Sequence, residues 1–395
     1  MTLFLASVAG REEADVALKH GADIIDLKDP SKGALGAVAA DVVRETMATV
    51  ARRRPLSAVT GDLPMQPELV TSAVETMATT GVDYVKVGLF PDYRREDCIR
   101  ALAAVARATK VVGVMFADHG ADTALVPLMA QSGFAGAMLD TARKGSGRLL
   151  QHWDVARCKD FVAACRSSGL MAGLAGSLEL PDVPRLLLLE PDVLGFRRAL
   201  CGNQERTGRI DADAVSMVRS LIPLDARSAA HDEPSIPKVD YRLLAARGYS
   251  APVDKDAPTD RIFVHDLVLP VRIGAYAHER EKPQRVRFNV DIRIIRAAHA
   301  VEDMRDVFSY DVAIDGIHVL VAAEHFAFVE TLAERIAALL LAYGRVTSVT
   351  VRVEKLDVVA GAVGIEITRE RPADVAQVHH LYPAAAAESE PKAVR

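Results

Sequence analysis

The chain has 395 residues, 50% hydrophobic and 26% charged, with a formal net charge of −5. That length exceeds one ordinary domain and supplies enough apolar residues for sizeable cores. The near-balance of 48 Lys+Arg against 53 Asp+Glu excludes a surface built to coat nucleic acid, while leaving room for a local basic pocket that takes an anionic substrate. Cys98, Cys158, Cys165 and Cys201 form neither a CxxC pair nor a zinc-knuckle spacing, so reduced thiols in a cytoplasmic protein are expected. The opening MTLFLASVAGREEAD lacks a basic leader and meets charge at once, so it is not expected to act as a secretory signal. LLLLEPDVLGF is too short and too interrupted to cross a bilayer, and no membrane partner is expected.

Over residues 1–222, short apolar runs alternate with amphipathic ones. LFLASVA, DIIDLK, LSAVTG, DYVKVGLF, KVVGVMFAD, GAMLDT, LMAGLAGS and DVLGFRR read as strands. VVRETMATVARR, REDCIRALAAVARAT and DVARCKDFVAACRSSG read as helices between them. About eight strand–helix units in this length have the rhythm of a (β/α)8 TIM barrel, an α/β fold. A doubly wound sheet is the rival, but it normally uses fewer strands and often a glycine-rich first loop; the first loop here, VAGREEAD, has no GxGxxG. Residues 223–259, rich in Pro, Asp and Ala, read as a linker. From 260 to 372 the texture changes. RIFVHDLVLPVRIGAY and QRVRFNVDIRIIRAA alternate with period two, SYDVAIDGIHVLVAAEH and FVETLAERIAALLLAYG are helical, and VTSVTVRVEKLD and AVGIEITRER are strands again. That order predicts an α+β unit with an antiparallel sheet. The tail, 373–395, has the Ala, Glu and Pro composition of a disordered segment.

The most informative segment is ADIIDLKDPSKGALGA. Asp26 and Lys28 are two apart, so in a strand they point the same way. Lys86 in VDYVKVGLF repeats the oddity, as do Asp140 and Lys144 in AMLDTARKG. One lysine in an apolar run is more often an edge or snorkelling side chain. Recurrence across three strands favours a cluster at the C-terminal barrel face, because desolvating an ion is costly unless it has a task. A lysine becomes a nucleophile when burial or neighbouring cations lower its pKa, and its amine can then form a Schiff base with a carbonyl. Asp26 and Asp140 are candidates to shuttle protons. The loops after the last two strands carry Gly176, Ser177, Gly195 and Arg197, where many barrels cradle phosphate. A phosphorylated aldehyde or ketone is the substrate these features suggest. Asp23 and Asp83 read as turn residues. Asp118 with His119 reads equally as a catalytic base or as plain loop.

GADIIDLKDPSKGALGA, SAVTGDLP, GVDYVKVGLF, AMLDTARKG and LAGSLELPDVP, in this order, resemble the (5-formylfuran-3-yl)methyl phosphate synthase family, a barrel enzyme of methanofuran biosynthesis. The resemblance covers the whole first domain. It implies that two molecules of glyceraldehyde 3-phosphate are joined into a furan, with loss of phosphate and water. It puts the Schiff-base lysine on Lys28, its partner aspartate on Asp26, the second barrel lysine on Lys86, and the later pair on Asp140 and Lys144. Arg198 and Leu200 stand where smaller residues are common. A generic class I aldolase that closes no ring is the rival.

In the second domain Glu279, Tyr310, Glu330 and Lys355 sit at element ends, where each also has an ordinary explanation, such as an acid suiting a helix start or a charge blunting a strand edge. IGAYAHE, FSYD and VETLAE, with Lys355, resemble the dihydroneopterin aldolase family, a T-fold that assembles into rings. The resemblance implies that Glu330 binds the amino-pyrimidinone edge of 7,8-dihydroneopterin, that Lys355 and Tyr310 move protons with water, and that Glu279 helps position them. It implies cleavage or side-chain epimerisation without metal or other cofactor, and a homo-oligomer. Leu356 follows the lysine where proline is usual, and the DVVAG loop is long. His265, His278 and His318 are too scattered for the zinc site of related T-folds. The chain therefore reads as a bifunctional enzyme taking two small-molecule substrates. The alternative is a furan-phosphate synthase whose T-fold only oligomerises or binds pterin.

Overall fold

The computed structural model describes residues 1–143, 147–202, 205, 207–222, 258–275, 279, 282–296, 304 and 307–371. Lys144, His278, the expected linker as far as residue 257 and the expected tail lie outside them. The linker's last two positions, Pro258 and Thr259, lead directly into a strand.

Eight parallel strands close a barrel in chain order: β1 (Leu3–Val8), β2 (Ile24–Leu27), β3 (Leu56–Val59), β4 (Tyr84–Gly88), β5 (Lys110–Phe116), β6 (Gly136–Asp140), β7 (Met171–Leu174) and β8 (Val193–Phe196). β8 returns to β1 with Gly195 opposite Leu5. The pleat sorts each strand into two faces. Phe4, Ala6 and Val8 of β1 and Ile25 and Leu27 of β2 join the core shared with the helices. Leu5 and Ile24 join a separate interior cluster with Val112, Met138 and Val193. Polar residues enter that interior towards the C-terminal ends.

The turn residues Asp23 and Asp83 have a defined task. The Asp23 carboxylate accepts the Phe4 amide at 2.9 Å and the Asp83 carboxylate accepts the Leu56 amide at 2.8 Å; Asp192 does the same for Ala172 at 2.7 Å. Each acid precedes one strand and satisfies an amide at the start of its neighbour, a group that would otherwise go unpaired at the barrel's N-terminal rim.

The second region has the expected order, with β9 (Thr259–Val271), β10 (Gln284–Ile295), helices Tyr310–Ala323 and Val329–Leu341, β11 (Val346–Lys355) and β12 (Val363–Glu370). The sheet order is β12-β11-β10-β9, all antiparallel, and the fold is a T-fold unit. Val286, Phe288, Val290 and Ile292 of β10 share one core with Ile317, Leu332, Ile336 and Leu340 of the helices. The intervening Arg287, Asn289, Asp291 and Arg293 stand on the opposite face, as period two dictates.

The two regions touch. Helix Tyr310–Ala323 lies against barrel helices Val155–Ser167 and Asp182–Leu187. Val319 joins the barrel's core, while Leu188 packs against the core of the second region. This contact pairs residues far apart in the chain, which local periodicity does not reveal.

All four cysteines are buried free thiols. Burial pushes the Cys158 and Cys165 thiols up to about 12 and raises those of Cys98 and Cys201. Only thiolate reacts readily. Native protein at about pH 8 is therefore expected to show no measurable reaction with a thiol-specific chromogenic reagent, and all four thiols should react in guanidinium. Rapid labelling of the native state would show that the barrel helices open freely.

Candidate functional site

At the barrel mouth the strand register builds a polar layer above the apolar interior. Ser7, Asp26 and Ser57 are direct neighbours across β1, β2 and β3. Asp26 is fully buried. Its carboxylate accepts Ser7 Oγ at 2.9 Å, Ser57 Oγ at 2.5 Å and Lys86 Nζ at 2.9 Å. Lys28 follows β2 on the same side as Asp26, as the pleat requires, yet it pairs elsewhere: its Nζ lies 3.3 Å from Asp140 Oδ2 at the end of β6. Asp140 Oδ1 accepts the Thr141 amide at 2.7 Å.

Lys28, Lys86 and Asp140 line a cleft together with Gly176, Ser177, Gly195, Arg197 and Arg198. The expected amine and phosphate-loop residues thus converge on one opening; Lys144 lies outside the described residues. Asp26 does not line the cleft but sits beneath it, held by its three donors. Gly176 needs its freedom. Its φ is 109°, and a Cβ there would stand 2.9 Å from the Thr141 side chain and 3.1 Å from the Thr141 amide nitrogen. Ser177 also adopts a left-handed φ of 51°. Arg197 is tied down, with its guanidinium 2.5 Å from Glu13 Oε2 and donating to the carbonyls of Ser7 and Gly208. Its charge is already offset where it meets the cleft. Arg198, Ser177 and Arg148 line an adjoining open space.

The loops that frame the mouth are fixed by carboxylates. Asp62 accepts the amides of Ala34 and Leu35 at 2.8 and 2.7 Å, holding the loop after β2 to the loop after β3. Asp118 accepts the amides of Ala142 and Arg143 at 2.7 and 2.8 Å, so its carboxylate organises the loop after β6. The sequence reading missed Ser7, Ser57 and Asp62. A hydroxyl in the middle of an apolar strand, in register with a buried acid, is the signal that finds the two serines.

In the second region Lys355 Nζ lies 2.7 Å from Glu279 Oε1, and Gln284 Nε2 donates to the same oxygen at 3.2 Å. Gly274 makes room for this pair: at φ 140°, a Cβ there would fall 2.0 Å from the Glu279 carboxylate. The Gly274 amide bonds the Phe326 carbonyl at 2.9 Å, which brings the end of β9 beside the segment entering helix Val329–Leu341. Glu330 stands exposed in that helix's first turn, and Tyr310 is 58% exposed at the first residue of the preceding helix. Glu279 and Lys355 are thus brought together by direct contact, with Tyr310 and Glu330 at open helix starts.

A closed barrel whose mouth holds two lysines, each paired with a carboxylate, defines a (β/α)8 protein with a charged mouth, joined here to a T-fold unit. Residues 4–219, more than half of the chain, match the family model described as 4-HFC-P synthase, and the chain belongs to that family. Residues 262–368 match the model described as FolB, dihydroneopterin aldolase. A Methylorubrum extorquens protein, provisionally named a (5-formylfuran-3-yl)methyl phosphate synthase, is 41% identical over 226 residues, covering 56% of this chain and 94% of its own length. The (5-formylfuran-3-yl)methyl phosphate synthase of Methanothermobacter thermautotrophicus is 36% identical over 232 residues, 56% of this chain and 98% of that protein. Among solved structures, a dihydroneopterin aldolase from Burkholderia thailendensis bound to guanine is 31% identical, covers 29% of this chain and 93% of that chain, and has a TM-score of 0.27.

Replacing Asp26 by Asn keeps the shape but leaves the Lys86 ammonium, 4% exposed, without its charge partner. Breaking a buried pair from one side costs about 3–5 kcal/mol. Asp26→Asn should lose about that much unfolding free energy in a urea melt, and a loss below about 1 kcal/mol would show that the pair does not hold the barrel.

Proposed function

We propose that the chain is a bifunctional enzyme of cofactor biosynthesis: the barrel condenses two molecules of glyceraldehyde 3-phosphate into (5-formylfuran-3-yl)methyl phosphate, and the T-fold unit cleaves or epimerises 7,8-dihydroneopterin. The observation that carries the first half is the convergence of Lys28, Lys86 and Asp140 with the Gly176–Ser177 turn on one cleft, in a chain of this family. Lys28, as the free amine, attacks the aldehyde carbon of one triose phosphate, and the carbinolamine takes up a proton and loses water to give an iminium. Asp140, 3.3 Å from Lys28 Nζ and lining the cleft, is the better placed of the two acids to take the proton alpha to that iminium. Asp26, closed off beneath, serves by holding Lys86. Lys86 and Lys144 offset phosphate or developing oxyanion charge. Carbon–carbon bond formation to the second triose phosphate, elimination of one phosphate and dehydration form the furan, and hydrolysis of the lysine imine releases it and restores Lys28.

In the second half, the Glu330 carboxylate receives the amino-pyrimidinone edge of the pterin through parallel charge-assisted bonds. Lys355, oriented by Glu279, and Tyr310 move protons, and the pterin ring stabilises the carbanion. This unit is expected to assemble with further copies of the chain; Phe263, Phe328, Val358 and Val359 are exposed apolar residues on it. Four free thiols suit a reducing cytoplasm.

Borohydride with glyceraldehyde 3-phosphate should trap the wild type as a covalent adduct, and Lys28→Ala should abolish both the adduct and the furan ultraviolet band. Equal trapping in Lys28→Ala removes the nucleophile assignment; an adduct with no furan band favours a class I aldolase that does not close the ring.

Full-length protein given 7,8-dihydroneopterin should release glycolaldehyde, and Lys355→Ala should lower kcat by about 10²–10⁴, the range for losing a positioned proton-transfer group. Leu356, in place of the usual proline, and the open position of Tyr310 favour the alternative of a T-fold that only assembles or binds pterin. Absence of glycolaldehyde and of epimer from the wild type selects that alternative.

A further inference from the structure

The turn at Gly176–Ser177 sets how far the mouth lies from Lys28 and Asp140, since Gly176 rests directly on Thr141, the residue after Asp140. Three ties fix that turn. The Leu149 amide donates to the Gly176 carbonyl at 2.9 Å. The Glu179 amide donates to Asp182 Oδ2 at 2.9 Å. Arg148 Nη1 bridges Glu179 and Asp182 at 2.7 and 3.6 Å. Two of these ties depend on Asp182, which opens the helix Asp182–Leu187. Six residues are too few to hold a helix by propensity, so its position depends on packing. Its inner face packs through Val183 and Leu186 into the barrel core. Its outer side carries Arg185, whose guanidinium is gripped from the other region: Nε lies 2.5 Å from Asp315 Oδ2 and Nη2 lies 3.1 Å from Asp315 Oδ1. Asp315 is only 5% exposed, and a two-pronged Arg–carboxylate pair fixes angle as well as distance.

We propose that the second region is a positioning partner for the barrel's own chemistry: Asp315, through Arg185, holds helix Asp182–Leu187 and thereby the Gly176–Ser177 turn that closes on the substrate's phosphate. Asp315 and Arg185 are positioning residues, and they line neither the cleft nor the space beside it. The inference rests on the reading that this turn receives phosphate.

The test titrates full-length protein with inorganic phosphate by calorimetry and follows glyceraldehyde 3-phosphate turnover in parallel, with circular dichroism confirming the fold of each variant. Asp315→Ala is expected to weaken phosphate binding and raise KM about 10-fold while kcat changes less than about 2-fold, the signature of lost ground-state positioning. Arg185→Lys keeps the charge but loses the fork and should fall between. The exchange of Arg185→Asp with Asp315→Arg should recover most of the loss. Asp315→Asn serves in place of Asp315→Ala if the latter does not fold. A lower melting temperature with unchanged phosphate affinity and KM makes the pair a structural contact and overturns the inference alone. A wild type that binds no phosphate overturns the phosphate reading, and this inference with it.

Discussion

A carboxylate with no exposure inside an apolar barrel is the constraint on which the rest of the site depends. Asp26 stands where an unpaired ion would cost several kcal/mol, and it is tolerated because Ser7, Ser57 and Lys86 all donate to it. These donors come from β1, β3 and β4, so the same contacts that satisfy the charge also fix three strands around β2. Replacing such a cluster with well-packed apolar residues need not weaken a fold. What the charges supply is a geometry: with Asp26 engaged by Lys86, the amine two residues on, just past β2, reaches Asp140, and two lysines of one mouth acquire different partners.

The second region uses the same device with a different wall. Glu279 orients Lys355 as Asp26 orients Lys86, but its side chain is 11% exposed and comes from the segment between β9 and β10, whereas the Asp26 side chain is 0% exposed within a strand. The room for it is made by Gly274, where even a methyl group would overlap the carboxylate. In the barrel the anion is fixed by strand register; in the T-fold unit it is fixed by a glycine and a glutamine.

Much of this was legible in the chain. Period-two placement puts Asp26 and Lys28 on one side of β2 whatever the tertiary fold, and apolar runs ending in charge mark the C-terminal face of a barrel. Which acid meets which amine was not legible, because Lys28 and Asp140 meet across the barrel, 112 positions apart. The arginine at the end of β8 was visible, but not that Glu13 of the first helix neutralises it, 184 positions away. Asp118 read equally as base or loop; the structure commits its oxygens to two loop amides, which short-range pattern does not reveal. Arg185 and Asp315 carry no local signal at all. Each looks like a helix-surface charge, and only docking of the two regions brings a half-buried Arg185 onto a buried Asp315.

Helix Tyr310–Ala323 has to satisfy three surfaces at once, and its sequence divides them. Tyr310 and Asp315 are five positions apart, which at the helical repeat turns them about 140° away from each other. Asp315 can therefore face the barrel while Tyr310 stays open at the helix start. Gly316 points to a third side, where Leu339 of the neighbouring helix comes so close that a Cβ would stand 2.8 Å from it. The near atoms are all of the Leu339 side chain, so the glycine marks how closely the two helices pack there. Docking to the barrel and access to the proposed pterin site are thus compatible because they occupy different azimuths of one helix.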